Sequence, residues 1–147
     1  MVELDDDTNI LLVDDEKDFV EVLSQRLEVH GYHVASVYSG QDALDLISTK
    51  SYDAIILDLS MPGMDGMETL KEIKKKRPNM QIIILTGHGT LEDGIEAMKL
   101  GASDFIVKPV ELDILENKIT VAQNKRRELL KKKQDNELMK IMTSKGW

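Results

Sequence analysis

The sequence predicts an α/β protein, a doubly wound five-stranded parallel sheet with five helices, the last of them extended. Two observations lead there. Short apolar runs recur five times along the 147 residues, and each is followed by a longer stretch with apolar residues at three- and four-residue spacing. The runs are unbroken rather than alternating, as in strands covered on both faces, which a parallel sheet with helices on either side requires. The length suits about one domain with a sizeable core.

Ile10-Leu11-Leu12-Val13 is the first strand, stopped by Asp14-Asp15. A helix from Glu16 to His30 places Phe19, Val20, Leu23 and Leu27 on one face, and Gly31 ends it. Val34 to Val37 forms a second, weaker strand. Ser39-Gly40 opens a helix carrying Ala43, Leu44, Leu46 and Ile47. Ala54 to Leu57 is the third strand, ending at Asp58. The turn-rich Met61-Pro62-Gly63-Met64-Asp65-Gly66 follows, with Asp65 placed to cap a helix from Gly66 to Lys76. Gln81 to Leu85 is the fourth strand, ending at Thr86-Gly87, and a helix from Leu91 to Leu100 stops at Gly101. Phe105 to Val107 is the fifth strand, ending at Lys108-Pro109, and the last helix starts near Glu111.

Composition narrows the chemistry. The formal charge is −8, with 31% charged residues. A net-acidic chain is a poor general binder of nucleic acid or anionic membrane, so neither partner is expected. The charge is uneven: residues 1–120 hold 11 basic and 24 acidic residues, whereas residues 121–147 hold 8 basic and 3 acidic. The absence of cysteine excludes disulfides, thiolate metal sites and cysteine nucleophiles, and fits a cytoplasmic location. No stretch approaches the ~20 apolar residues of a membrane span. The N-terminal residues read as an acidic solvated leader around Asp5-Asp6-Asp7 rather than a signal peptide. Lys74-Lys75-Lys76-Arg77 reads as a solvated helix end, and His30 and His33 read as surface residues.

The informative residues follow the strands. In an open parallel sheet, ligands bind at the carboxyl ends of the strands, near the switch in strand order. With the flavodoxin-like order 2-1-3-4-5, strands one, three, four and five bring Asp14-Asp15, Asp58, Thr86 and Lys108 to one crevice. Strand two ends in Val37-Tyr38-Ser39 and adds nothing comparable. On its own the Asp14-Asp15 pair reads as a helix N-cap; the other strand ends argue for a site. Two carboxylates 4 Å apart repel by roughly 4 kcal/mol at an effective dielectric near 20, so either one protonates or a cation binds. Oxygen ligands without His or Cys suit Mg²⁺. Mg²⁺, Lys108 and Thr86 would then serve a phosphoryl group, with Asp58, alone at its strand end before a flexible turn, best placed as acceptor.

ILLVDDE, ILDLSMPGMDG, IIILTGHG and DFIVKPV together resemble the receiver domain of two-component response regulators, of the CheY-like kind, over about residues 8 to 122. The resemblance implies that Asp58 accepts a phosphoryl group from a histidine kinase. It implies that Asp15, Asp58 and the backbone carbonyl of Ser60 bind Mg²⁺, with Asp14 acting mainly through water. It implies that Thr86 and Lys108 contact the phosphate, that Phe105 is the aromatic switch residue, and that the Lys108-Pro109 bond is cis. Ser60 and His88, each two residues beyond a motif residue, would tune autodephosphorylation. The wording of LTGHG and KLGASDFIVKP leans toward receivers of regulators with ATPase output domains and of hybrid sensor kinases.

These readings divide the chain into a receiver domain, 1–122, and a charged helical extension, 123–147. Leu112, Leu115, Ile119, Ala122 and Leu129 or Leu130 form a seam of period about 3.5, resumed by Leu138, Ile141 and Met142, as in a short coiled coil. A homodimer through this helix and the fourth helix–fifth strand–fifth helix face is therefore expected. The function expected is a phosphoryl-controlled switch rather than an enzyme. The alternative is a magnesium-dependent phosphatase of the haloacid dehalogenase type. Its DxDxT pattern is not met by Asp14-Asp15-Glu16-Lys17-Asp18.

Overall fold

The computed structural model describes residues 8–60, 65–87 and 91–144. The Asp5–Asp7 leader, the Met61–Met64 part of the turn, His88 and the last three residues lie outside the described residues. The elements are β1 (Asn9–Val13), α1 (Lys17–Val29), β2 (His33–Val37), α2 (Gly40–Ile47) and β3 (Ala54–Asp58). They continue with α3 (Gly66–Lys76), β4 (Ile82–Thr86), α4 (Leu91–Lys99), β5 (Asp104–Val107) and α5 (Leu112–Ser144).

The five strands form one sheet, β2-β1-β3-β4-β5, with every pair parallel. Their unbroken apolar runs have the cause anticipated above. Leu11, Val13, Ile55, Leu57, Ile82 and Ile84 point to one face and pack against α2, α3 and α4. Ile10, Leu12, Ala54, Ile56, Ile83 and Leu85 point to the other, against α1 and α5. All twelve are fully buried. Each such Leu, Ile or Val side chain contributes about 1.5–3 kcal/mol of transfer free energy, so the three central strands form the rigid platform.

Strand limits differ from the sequence reading by about a residue. β1 reaches back to Asn9, β4 runs on to Thr86 and β5 starts at Asp104. Ladder pairing uses backbone groups, so polar residues extend strands that apolar patterning cannot see. The caps follow expectation at two helices. Ser39 accepts from the Asp42 N–H at 3.1 Å and Asp65 accepts from the Glu68 N–H at 2.8 Å.

The basic run closing α3 needs a correction. Lys75 and Lys76 are exposed, but Lys74 is half-buried and donates to the carbonyls of Pro78 and Met80 at 2.7 and 3.1 Å. The Arg77 guanidinium donates twice to the Ile47 carbonyl, at 3.1 and 2.8 Å, tying α3 to α2. These cations bond carbonyls at the end of α2 and in the loop after α3, where the helix ladder supplies no donor.

α5 is one continuous helix of 33 residues. Its first turns bury Leu115, Ile119 and Ala122 against the sheet. Arg126 still touches the body, donating to Ser51 at 2.8 Å, but residues 131–144 are exposed throughout. Among the described residues, no helix is long and apolar enough to cross a membrane.

Two stability outcomes follow from the packing. A chain stopped after Leu130 should keep its urea unfolding free energy within ~0.5 kcal/mol, because the removed residues bury nothing. Gly66→Ala should cost roughly 1–3 kcal/mol in the same measurement, because the added methyl meets the backbone of Leu59 and the Asp58 carbonyl oxygen.

Candidate functional site

Register builds the site. Val13 pairs with Leu57, so the next residues, Asp14 and Asp58, leave adjacent strands side by side. Asp58 pairs with Leu85 and Thr86 with Val107, which carries the sheet edge on to Thr86 and then Lys108. Asp14, Asp58 and Thr86 are 0%, 3% and 2% exposed. The sheet edge therefore brings Asp14, Asp58, Thr86 and Lys108 together, with Asp15 partly buried beside them.

Each buried oxygen has a partner. Asp14 Oδ1 accepts from the Glu16 N–H at 2.9 Å, the first amide leading into α1. Asp58 Oδ1 accepts from the Ser60 N–H at 3.2 Å. Lys108 Nζ donates to Asp14 Oδ2 at 2.9 Å and to Glu16 Oε1 at 3.0 Å. The Lys108-Pro109 peptide bond is cis, and the Lys108 N–H is bonded to the Thr86 carbonyl at 2.8 Å.

Burial pushes the Asp58 carboxyl above its ordinary range. The Ser60 N–H and the Lys108 ammonium pull it down, while the Asp14 and Asp15 carboxylates push it further up. Lys108 is raised overall: burial favours its neutral form, but the hydrogen bonds to Asp14 and Glu16 and the charge of Asp58 outweigh that. Oxygens of Asp14, Glu16 and Asp58 lie within 4.8 Å of one another. Three hard carboxylate donors without His or Cys fit Mg²⁺ or a similar oxygen-seeking cation.

Three residues escaped the sequence reading. Glu16 belongs to this carboxylate group, whereas Asp15 reaches Asp58 only through its field. The third acid of the Asp14-Asp15-Glu16 run was its only signal. Phe19, read as a helix-face apolar residue, lies under Lys108 Nζ, 4.1 Å from ring centroid to nitrogen. Gly94 on α4 faces the ring of Phe105; a methyl there would come within 2.9 Å of it. The Lys108–Phe19 contact has no sequence signature because it joins distant elements; the Gly94–Phe105 contact joins consecutive elements, but only the packing of α4 on β5 sets which residue faces the ring.

The sequence matches the response regulator receiver domain family over residues 10–120. It is 40% identical over 114 residues to the transcriptional regulatory protein ZraR of Salmonella typhimurium, covering 78% of this chain and 26% of that one. It is 40% identical over 107 residues to the transcriptional regulatory protein GlrR of Escherichia coli K12, covering 73% of this chain and 24% of that one. The chain thus spans about a quarter of the length of these relatives. A receiver domain structure from Clostridium thermocellum superposes with a TM-score of 0.78 at 40% identity, covering 84% of this chain and 98% of that one. The NtrX structure from Brucella abortus gives 0.74 at 31% identity, covering 91% of this chain and 30% of that one. The haloacid dehalogenase alternative finds no support in these matches. The expectation of no nucleic-acid contact conflicts with relatives named as transcriptional regulators. It rested on the summed charge, which averages an acidic body with a basic extension.

The electrostatics make a test. The raised Asp58 carboxyl favours folding fully only below the ordinary carboxylate range, and that contribution is lost as pH rises through its folded value. At pH 7 the ionised group is therefore a cost. Asp58→Asn should raise Tm at pH 7, without divalent cations, by roughly 2–4 °C, about 1 kcal/mol for this size. The gain should shrink toward pH 4, and added Mg²⁺ should raise the Tm of the unaltered chain but not of the variant. An unchanged or lower Tm at pH 7 contradicts this account.

Proposed function

Because the chain belongs to the response regulator receiver domain family, we propose that it is a phosphoryl-accepting switch in two-component signalling, taking its phosphoryl group from a histidine kinase on Asp58. The observation that carries this reading is the Asp58 carboxylate, almost fully buried, grouped with Asp14 and neighboured by the Lys108 ammonium at the carboxyl edge of the sheet. An Asp58 oxygen attacks the phosphorus of the donor's phosphohistidine. The new P–O bond forms as the P–N bond breaks, and its electron pair returns to the imidazole nitrogen, which takes up a proton. Burial leaves that carboxylate poorly solvated, hence readier to attack.

Asp14, Asp15, Asp58 and the Ser60 carbonyl would hold Mg²⁺, with Glu16 close to the same group. When bound, the ion neutralises the oxygens of the transferring group. Lys108 and Thr86 take the remaining phosphoryl oxygens, one as a point charge and the other as a hydroxyl donor. The identities of Ser60 and His88 tune the later hydrolysis of the acyl phosphate by water. Beyond its own phosphoryl gain and loss, the chain acts as no enzyme.

Two conformations in equilibrium suffice for output. The phosphorylated aspartate holds Thr86 and Lys108 better in one, shifting the population. A swing from 1:99 to 99:1 needs about 5.5 kcal/mol of differential interaction, within reach of a few charge-assisted hydrogen bonds. Phe105 lies on the same sheet face as Thr86, against the α4 side, and passes the change outward. Exposed Leu91, Ile95, Met98 and Val107 give that side an apolar surface for a second copy or an output partner. The exposed remainder of α5 extends the dimer contact, dividing receiver from extension near residue 122.

The donor approaches from the other side. An apolar cavity of about 450 Å³, lined by Phe19, Val22, Leu23, Arg26, Pro109 and Val110, adjoins Lys108 and suits the kinase's phosphorylated helix. By likeness to ZraR and GlrR, the controlled output is transcription. A cytoplasmic location follows.

Incubation with acetyl phosphate and Mg²⁺ should add about 80 Da, one phosphoryl group, to the intact chain. Asp58→Asn and a chelator should each abolish the added mass, and Lys108→Ala should slow its appearance at least tenfold, the scale of one lost charge-assisted contact. Phosphorylation of the Asp58→Asn chain at the same rate overturns the assignment.

A further inference from the structure

The functional reading uses Lys108 as a ligand for the phosphoryl group, yet its ion pairs run to Asp14 and Glu16 rather than to Asp58. Its side chain is 14% exposed, with the ammonium 4.1 Å from the centroid of the Phe19 ring. Glu16 and Phe19 stand at the start of α1, three residues apart and thus on one side of the helix. Asp14 has its own place at the centre of the site; Glu16 stands at the exposed rim of the carboxylate group, and Phe19 lies outside it.

We propose that Glu16 and Phe19 form a resting berth for the Lys108 ammonium, competing with the phosphoryl oxygens for it and so setting how firmly the phosphorylated state is held. The proposal rests on Asp58 being the acceptor. A carboxylate and a ring face attract the same cation independently, one through a charge-assisted hydrogen bond and the other through the ring quadrupole. Lysine suits such a transfer, because its ammonium is a compact charge on a flexible stem with three donors. At rest two of those donors are on Asp14 and Glu16. A phosphoryl dianion on Asp58 offers stronger acceptors and draws the ammonium off the ring. Whatever the berth contributed at rest is then subtracted from the grip on the phosphoryl group. The Glu16 side chain is 64% exposed, so removing its charge leaves the core intact.

The experiment uses the full chain with ¹³C-labelled lysine, saturating Mg²⁺, and beryllium fluoride as a tetrahedral stand-in for the phosphoryl group. At rest, the ε-methylene signal of Lys108 should be shifted upfield by the Phe19 ring current. Beryllium fluoride should return it toward the ordinary lysine position. Phe19→Leu, which keeps the apolar bulk, should abolish the resting shift, and Glu16→Gln should reduce it. Both variants should bind beryllium fluoride about two- to fivefold more tightly, the scale of a partly exposed ion pair or ring contact. A resting signal without the shift, a shift that survives saturation with beryllium fluoride, or unchanged affinity in both variants overturns the berth alone. Failure of the unaltered chain to bind beryllium fluoride removes the phosphoacceptor reading as well, which separates the two failures.

Discussion

Two carboxylates, Asp14 and Asp58, are forced side by side by the register of β1 against β3, and both are withdrawn from water. At an effective dielectric near 20, such a pair repels by roughly 4 kcal/mol at 4 Å. Much of the surrounding structure answers that constraint. The Ser60 N–H takes one oxygen of Asp58, the Glu16 N–H takes one of Asp14, and Lys108 takes the other. None of these removes the excess negative charge: Asp58 remains raised, and Glu16 adds another carboxylate. The folded chain therefore presents a standing demand for positive charge, which a divalent cation would meet.

The rigid and the responsive parts of the molecule are arranged around this demand. β1, β3 and β4 are buried on both faces and fix the carboxylates within the sheet. β5 is an edge strand with an exposed Val107 and a half-buried Phe105, and α4 lies against that ring at a glycine. An edge strand and its covering helix have fewer contacts to break than the centre, so they move at lower cost. α1 carries groups on the other side of Lys108. One lysine thus joins the carboxylate centre to both flanks, through β5 behind it and through Phe19 beside it.

α5 divides its length between two solvents. Leu115, Ile119 and Ala122 complete the core beside α1, while the later apolar residues Leu138, Ile141 and Met142 stand in water among lysines. The basic extension and the acidic body oppose each other in charge within one chain, which a single net value conceals.

Much of this was legible in the amino-acid sequence. Five apolar runs marked the strands, and four of them ended in a polar residue that the sheet edge brings to one place, so Asp14, Asp58, Thr86 and Lys108 were legible as a group. Asp65 was legible as a cap, and Ser39 as a helix start, because capping chemistry is local. Lys74 and Arg77 were not. A run of cations looks solvated until the fold brings the carbonyls of Ile47, Pro78 and Met80 within reach. Glu16 and Phe19 were hidden for the same reason, since a helix-start acid and a helix-face aromatic have ordinary local explanations. Sequence by itself determined which elements form and which polar groups end them, because periodicity, caps and turns act over a few residues. Only the tertiary structure decided which groups meet. The partners of Lys108 at Glu16 lie 92 residues away along the chain, and such pairings are set by strand order and register rather than by any local pattern.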